Sequence, residues 1–330
     1  MGEHTGADPA HPARIPRCTI VVPVFNGSAT LGELLSRLGT VMTQAAGDAW
    51  EVVFVDDGSQ DASWEKLQSL ASTFGNVTII RLARNYGQHN ALMCGFHHAR
   101  GQVIVTLDDD LQNPPEEIPK LLAALEAGSD VVYGKPEARE HSVARNFGSS
   151  LVQWVFNRVF GLDTGLSAFR AIRGEVVQRI LQYDRAFTFI DGLLAWQTDR
   201  FAVVPVRQSA RESGRSGYTF WSLVRLALNM LTSFSLWPLQ LATVLGFVFS
   251  ILSFLAAVFF VTKKLLFGIP VTGYTSLIVT VTFLAGVQLL TLGFLGEYLG
   301  RLHLNSNSRP QFVVRQIGPG PEPDGGRVAP

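Results

Sequence analysis

The sequence predicts a doubly wound α/β domain with a mainly parallel sheet, followed by an interfacial helix and a two-helix transmembrane hairpin. Two observations lead to this prediction: apolar, β-branched runs alternate with helix-like stretches in the first part of the chain, and two long uncharged apolar stretches follow near its end. Strict alternation of strands and helices is typical of a parallel sheet that is covered on both faces. The 47% hydrophobic content supplies enough apolar side chains for its core.

The strands and helices of the α/β domain are predicted from this alternation. Buried strands are expected at residues 19–24, 51–55, 77–82, 103–107 and 130–133. Helices are expected between them, at residues 29–42, 63–74, 88–99 and 116–126. From about residue 135 to 218 the pattern gives way to basic segments with Gly and Ser, which favour a surface for a substrate or a membrane. Ligands of doubly wound sheets bind beyond the carboxyl ends of the strands.

The C-terminal third has the pattern of a membrane anchor. Residues 220–237 place apolar and aromatic side chains at helical spacing, which predicts an interfacial helix, with packing in a soluble core as the equal alternative. The stretches 239–261 and 277–295 contain no charged residue, and each is long enough to cross a hydrocarbon layer of ~30 Å. Their short connection predicts a hairpin of two spans; buried soluble helices are the alternative.

Acidic side chains follow two of the predicted strands. Asp108 and Asp110 are two residues apart at a strand end, so extended backbone would point both carboxylates to one side and Asp109 to the other. Hard oxygen ligands of this kind suit Mg²⁺ or Mn²⁺, which one or two carboxylates commonly hold together with substrate phosphates. Gln112 could add an amide oxygen. An isolated pair would be read as a solvated turn.

A neighbouring acidic pair changes that interpretation of the turn. Asp56 and Asp57 end another predicted strand, so four or five carboxylates would converge on one rim. Repulsion of that size is tolerated mainly where a cation is bound. No Gly-x-Gly-x-x-Gly pattern or Walker loop follows the first strand, so a metal is favoured over a glycine-rich loop as the phosphate partner.

The overall charge of the chain is balanced, with 27 basic and 27 acidic residues. This balance argues against a nucleic-acid partner, which usually requires a basic surface.

Several motifs taken together resemble the inverting glycosyltransferases of family 2, in the branch that acts on polyprenyl phosphates. The matching stretches are Val21 to Asn26, Val55 to Ser59, Arg84 to His89, Leu107 to Pro119, Phe169-Arg170 and Gly296 to Arg301. They extend over nearly the whole chain. The resemblance implies a GT-A-type fold for the catalytic domain. The amino-acid sequences of the third and fourth stretches are most similar to those of bacterial enzymes that act on undecaprenyl phosphate, including aminoarabinose-type transferases.

The resemblance also implies roles for individual residues. The nucleotide is expected at Pro23, Phe25, Val55 and Asp57. The metal is expected at Asp108, Asp110 and Gln112. The acceptor phosphate is expected at Lys135, Arg145 and Ser149, with a basic surface facing lipid headgroups as the alternative. Catalytic roles are expected for Asp110, Asp163 and Arg145. One departure is Gly27, where the family commonly has Glu after the Asn of its first motif, and this puts one nucleotide contact in question.

The activity implied by these features is inverting, metal-dependent transfer of a single sugar from a UDP- or GDP-sugar to polyprenyl phosphate. A lipid monophosphate carries about −1.5 to −2 charge near neutral pH, so its oxygen needs little help from a general base. A processive polysaccharide synthase of the same fold is an alternative, although Gln182 to Ala186 lacks the Trp of the usual Gln-x-x-Arg-Trp motif. An inactive membrane scaffold is the non-enzymatic alternative.

The same features divide the chain into regions and predict its location. The regions are a disordered tail at 1–17, a cytosolic catalytic domain at 18–218, an interfacial amphipathic helix at 219–237, a transmembrane hairpin at 238–298 and a cytosolic tail at 299–330. Arginines flank the hairpin on the proposed cytosolic side, against two lysines in its loop. We therefore expect a multi-pass protein of the cytoplasmic membrane, with the nucleotide-sugar, the lipid acceptor and a possible second copy as partners.

Overall fold

The computed structural model describes residues 17–137, 167–185, 188–209, 237–267, 273–306 and 310–318. The chain forms two compact units. The first contains residues 1–143, 162–217 and 310–330, and the second contains residues 144–161 and 218–309. Within the described residues, the first unit holds a sheet with its helices, and the second holds two long helices.

Eight strands of the described residues form one sheet in the order β7-β5-β6-β4-β1-β2-β3-β8. The strands are β1 Cys18–Val24, β2 Trp50–Asp56, β3 Val77–Leu82, β4 Val103–Thr106, β5 Val131–Pro136, β6 Arg170–Arg173, β7 Phe201–Val206 and β8 Val314–Ile317. Strands β6 and β8 run antiparallel to their neighbours, and the remaining pairs are parallel. The predicted doubly wound, mainly parallel α/β sheet is confirmed.

Helices of the first unit pack apolar faces against this sheet. They are α1 Leu31–Ala46, α2 Ser63–Ala71, α3 Gln88–His98, α4 Ile118–Glu126, α5 Gly174–Ile180 and α6 Ile190–Gln197, with a short 3-10 turn at Pro115–Glu117 before α4. Helix α1 buries Leu31, Leu34, Leu35, Leu38 and Met42, the spacing of a single helix face. Every residue of β1 and β2 is buried, as expected for central strands covered on both faces.

Three strands were not predicted from the sequence. Strand β7 has six residues and pairs in parallel with β5. Strand β6 has four residues and inserts between β4 and β5, pairing Val103 with Arg173 and Val131 with Ile172. Strand β8 comes from the segment assigned to the C-terminal tail and pairs with β3 at the sheet edge. Strands β6 and β8, with four residues each, are too short to show periodicity, and the partners of all three strands lie far away in the sequence. Sequence pattern alone therefore did not indicate them.

The second unit contains α7 Trp237–Phe267 and α8 Tyr274–Ser306. Phe249 of α7 contacts Phe283 of α8 edge to face, with ring centroids 5.5 Å apart. The segments Leu239–Leu266 and Phe283–Gly300 are long and apolar enough to cross a membrane by length and composition. Large apolar side chains are exposed along α7, including Phe247 and Phe254, each 69% exposed. The predicted pair of apolar helices after the sheet domain is confirmed, and the predicted interfacial helix at 219–237 lies almost wholly outside the described residues.

Candidate active site

A cleft of about 420 Å³ lies at the carboxyl ends of β1, β2 and β4. These strands are neighbours in the sheet, so the segments that follow them meet at one edge. The cleft is lined by residues 23–27, Ala29, Thr30, Asp57, Asn85, Gly87, Gln88 and residues 108–110. The edge predicted to bind the ligand therefore carries a cleft with four carboxylates, those of Asp57, Asp108, Asp109 and Asp110.

The four residues expected to contact a nucleotide divide into two groups. Pro23, Phe25 and Asp57 line the cleft, and the Phe25 side chain is 48% exposed although it is large and apolar. Val55 is fully buried within β2 and is not among the residues that line the cleft. An exposed aromatic ring beside a polar cleft offers a flat apolar surface for a planar ligand group. Val55 contributes to the core of the sheet as a residue of β2.

Asp57 joins the end of β2 to the loop before α3. Its Oδ1 accepts a hydrogen bond from the Tyr86 N–H at 2.7 Å, and its Oδ2 accepts one from the Gly87 N–H at 2.8 Å. Burial raises the pKa of the Asp57 carboxyl, the two backbone bonds lower it, and Asp56 raises it, with a net rise above its ordinary value. The carboxylate therefore fixes this loop while facing the cleft.

Asp56 does not belong to the acidic rim that the sequence suggested. It is fully buried, its Oδ1 accepts a hydrogen bond from the Ser59 N–H at 3.0 Å, and its Oδ2 lies 3.3 Å from Nε of Arg81. Asp57, the first residue after β2, lines the cleft, and Asp56, the last residue of the strand, does not. The carboxylates in the cleft come from Asp57, the first residue after β2, and from three residues of the β4 turn.

The turn after β4, residues 108–112, holds the other three carboxylates and is called the β4 turn below. Oδ1 of Asp108 accepts a hydrogen bond from Nε2 of Gln88 at 2.7 Å, and Oδ1 of Asp110 accepts one from the Gln112 N–H at 3.1 Å. Leu111 adopts a φ of 57°, which reverses the chain direction. The prediction that Asp109 points away from the cleft is wrong, because β4 ends at Thr106 and the alternation of a strand no longer applies.

Asp109 instead contacts the segment that follows β1. Its Oδ2 lies 3.4 Å from the Phe25 backbone nitrogen, which donates to it. Burial, followed by the charge of Asp108, raises the pKa of the Asp109 carboxyl to about 7, and the charge of Asp110 also raises it. Burial is the largest cause of this pKa rise, and the neighbouring carboxylates of Asp108 and Asp110 add to it.

The donor set of this turn fits a divalent cation that is completed by ligands from outside the chain. Asp108 and Asp110 line the cleft, whereas Gln112 does not line it, and the Gln112 carbonyl accepts a hydrogen bond from the Ser209 N–H at 2.9 Å. Within the residues that the structure describes, no three His, Cys, Asp or Glu side chains are grouped as metal ligands. Mg²⁺ is commonly bound by one or two carboxylates plus phosphates and water. The two aspartates meet that requirement.

The residues expected to bind the acceptor phosphate are described only in part. Lys135 lies near the carboxyl end of β5, which runs in the same direction as β4 with β6 between them. It is therefore at the same edge of the sheet as the cleft, although it does not line it. Arg145, Ser149 and Asp163 lie outside the described residues.

Residues of two motifs that carry the family resemblance make contacts that the sequence did not predict. Gln88, in the third motif, donates to Asp108 and lines the cleft beside Asn85. The Phe169-Arg170 motif starts β6, and the buried Arg170 guanidinium pairs with the buried carboxylate of Asp191. Oη of Tyr133 also donates to Oδ1 of Asp191 at 2.9 Å. Buried charges need hydrogen-bonded partners, and Asp191 supplies one for Arg170. The second motif therefore belongs to a buried polar network that joins β5, β6 and α6.

Comparison with known proteins defines the class to which the chain belongs. Residues 19–180 match the model of glycosyl transferase family 2. A relative from Shewanella sediminis is 37% identical over 325 residues, covering 97% of this chain and 98% of the relative. A relative from Salmonella paratyphi B is 35% identical over 310 residues, covering 92% and 94%. The chain belongs to glycosyl transferase family 2 and is a glycosyltransferase.

The names of these relatives specify a branch of the family. Both are undecaprenyl-phosphate 4-deoxy-4-formamido-L-arabinose transferases. The predicted resemblance to the polyprenyl-phosphate glycosyltransferases is thereby confirmed. A solved structure of glucosyl-3-phosphoglycerate synthase from Mycobacterium tuberculosis, with Mn²⁺, UDP-glucose and phosphoglyceric acid, matches 66% of this chain and 79% of its own at a TM-score of 0.50 and 19% identity. At that identity the match shows the GT-A-type fold alone.

Proposed function

We propose that this protein transfers a single sugar from a nucleotide-sugar to polyprenyl phosphate at the cytosolic face of the membrane. The observation that carries the proposal is the cleft in which Asp108 and Asp110 lie beside Phe25 and Asp57, on a chain that aligns with the Shewanella relative over 97% of its length. That relative acts on undecaprenyl phosphate, as its name states. We take undecaprenyl phosphate as the acceptor and a UDP- or GDP-sugar as the donor.

The donor half of the reaction is assigned to the cleft. Phe25 offers an aromatic face for the base, and Asp57 holds the loop that contributes Asn85 and Gly87 to the lining of the cleft. Asp108 and Asp110 would hold Mg²⁺ or Mn²⁺ together with the donor diphosphate, supported by Gln112. The bound metal would stabilise the negative charge that develops on the leaving nucleoside diphosphate.

The acceptor half of the reaction is assigned to the basic residues beyond β5. A phosphate oxygen that already carries charge attacks the anomeric carbon from the face opposite the leaving group, which inverts its configuration. Lys135 lies at the correct edge of the sheet to draw such a phosphate towards the cleft. Arg145, Ser149 and Asp163 remain predicted contributors, with Arg145 and Asp163 in catalytic roles.

The membrane half of the proposal depends on chain connectivity. The chain leaves the first unit before α7 and returns to it after α8, since β8 pairs with β3 of the same sheet. We therefore infer that both ends of the two-helix segment lie on one side of the membrane that the helices would cross. A hairpin of two spans satisfies this condition, and it keeps the cleft on the side where the lipid headgroup and a cytosolic donor meet.

Product extraction would test the proposal. Purified protein is incubated with Mn²⁺ or Mg²⁺, labelled nucleotide-sugars and undecaprenyl phosphate, and the products are extracted into organic solvent. We expect label in the lipid phase that depends on both the metal and the lipid. Label in a water-soluble polymer would support the processive synthase instead. Failure of every UDP- and GDP-sugar to label the lipid would contradict the proposal.

A further inference from the structure

Two residues that the expected site did not include, Gly27 and Asp109, occupy one space between the segment after β1 and the β4 turn. We propose that Asp109 is a positioning residue that ties the β1 loop, residues 25–28, to the β4 turn, and that position 27 is glycine because the Asp109 carboxylate fills the place of its side chain. The inference deepens the proposed function, since the two segments would hold the nucleotide and the metal.

The backbone does not explain the glycine at position 27. Positive φ values occur at Gly47, Gly58, Gly87 and Gly128, whereas Gly27 is not in the left-handed region. A side chain would therefore be compatible with its backbone conformation. The obstacle is space, because a Cβ at position 27 would lie 2.1 Å from Oδ2 of Asp109 and 2.9 Å from its Cγ.

Hydrogen bonds hold the β1 loop in place beside Asp109. Two of its backbone N–H groups donate to the segment between β2 and α2: Asn26 to Oγ of Ser59 at 3.0 Å and Ser28 to Oδ2 of Asp61 at 3.2 Å. A third, that of Gly27, donates to Oγ of Ser63, the first residue of α2, at 3.0 Å. In the other direction, Oδ1 of Asn26 accepts from the Gln60 N–H at 2.9 Å. A side chain added at position 27 would therefore have to displace Asp109.

Displacement of Asp109 would disturb both halves of the donor site. Its Oδ2 accepts from the Phe25 N–H, so the carboxylate supports the residue whose ring faces the cleft. Asp108 and Asp110, on either side of it, are positioned by Gln88 and by the Gln112 N–H. An acidic residue at position 109 in this conformation and a side chain at position 27 thus exclude each other. In this chain the carboxylate comes from the β4 turn and leaves no room for a Glu at position 27.

A double-mutant cycle tests this exclusion. Gly27→Ala, Asp109→Ala and the double variant are prepared as full-length protein, and UDP affinity with Mn²⁺ and the unfolding temperature are measured for each. Gly27→Ala should weaken UDP binding about tenfold, or about 1.4 kcal/mol, when Asp109 is present. The same change should cost less than about twofold in the Asp109→Ala background, because the contested space is then empty. The unfolding temperatures should show the same coupling.

Two further variants separate positioning from general damage. Asp109→Asn keeps an oxygen for the Phe25 N–H and should bind UDP more tightly than Asp109→Ala. Gly39→Ala, in α1 with no atom near its added Cβ, is the matched glycine control and should leave UDP binding unchanged.

The possible outcomes distinguish this inference from the proposed function. Equal cost of Gly27→Ala in both backgrounds, in affinity or in unfolding temperature, would overturn the inference. UDP affinity that Asp109→Ala leaves unchanged would remove the positioning role. If even the unaltered protein failed to bind any nucleotide, the proposed donor would fail, while the unfolding temperatures would still decide whether positions 27 and 109 compete for space.

Discussion

The two edges of the parallel sheet carry carboxylates in opposite electrostatic settings. At the amino edge, buried Glu51 forms an ion pair with Arg100 and accepts a hydrogen bond from Oγ1 of Thr19 at 2.7 Å. At the carboxyl edge, Asp57 and Asp109 accept hydrogen bonds from backbone N–H groups and lie near further aspartates. The guanidinium of Arg100 balances the negative charge of Glu51, whereas several carboxylates lie close together at the carboxyl edge. The first arrangement stabilises the fold, and the second suits a cation that arrives with a substrate.

The largest effect that separates the two edges is expected for Asp110→Asn. Loss of one charged ligand should lower the transfer rate by about a thousandfold or more, because the charge on the leaving group is no longer offset. The unfolding free energy should change by less than about 1 kcal/mol, since Asn keeps an oxygen for the Gln112 N–H and removes like-charge repulsion. Initial rates and chemical denaturation measure the two quantities. The matched control is Asp48→Asn, at an exposed site in the loop between α1 and β2.

The opposite pattern is expected for Glu51→Gln at the amino edge. Removal of the charge leaves Arg100 without its ion-pair partner and should lower the unfolding free energy by about 2–3 kcal/mol. Turnover per folded molecule should stay within about twofold of normal, because Glu51 lies at the far end of β2 from the cleft. Denaturant unfolding and activity per folded molecule provide the comparison. If Glu51→Gln left the unfolding free energy unchanged and impaired turnover, the proposed difference between the two edges would be contradicted.

A smaller effect is expected when two exposed aromatic rings are removed in turn, one at the cleft and one before the start of β3. Phe25→Ala removes the ring at the cleft and should weaken nucleotide binding about tenfold, the usual size of one lost stacking contact. Phe74→Ala removes a ring that is 38% exposed in the segment before β3 and should leave nucleotide binding unchanged. Calorimetric titration of both variants with UDP and Mn²⁺ measures the difference. Equal affinities would remove Phe25 from the nucleotide site.

The sequence predicted the parts of this fold that have strong local patterns. Strands β1 to β5 and helices α1 to α4 are apolar runs with clear boundaries, and they occur within a few residues of the predicted positions. Strands β6, β7 and β8 were not predicted; they depend on partners far along the chain, so their pairing had no local signal. Amphipathic and predominantly apolar helices were also distinguishable, since α1 has one buried face and α7 carries no charged side chain from residue 239 to 261.

The candidate site was predicted at the level of the sheet edge and less well at the level of side-chain direction. The residues that line the cleft include Asp57, Asp108 and Asp110, as expected. The direction of Asp109 was wrong, because it was inferred from an extended strand that in fact ends at Thr106. The link between Gly27 and Asp109 joins residues 82 positions apart, and only the folded chain shows that they share one space.

Mass spectrometry of the lipid product tests the central claim most directly. Undecaprenyl phosphate is incubated with the protein, Mn²⁺ and the donor that labels the lipid, and the mass and anomeric configuration of the product are determined. The account predicts undecaprenyl phosphate that carries one sugar, with configuration inverted relative to the donor, and no such product from Asp110→Asn. A product with several sugars, a retained configuration, or full activity of Asp110→Asn would contradict it.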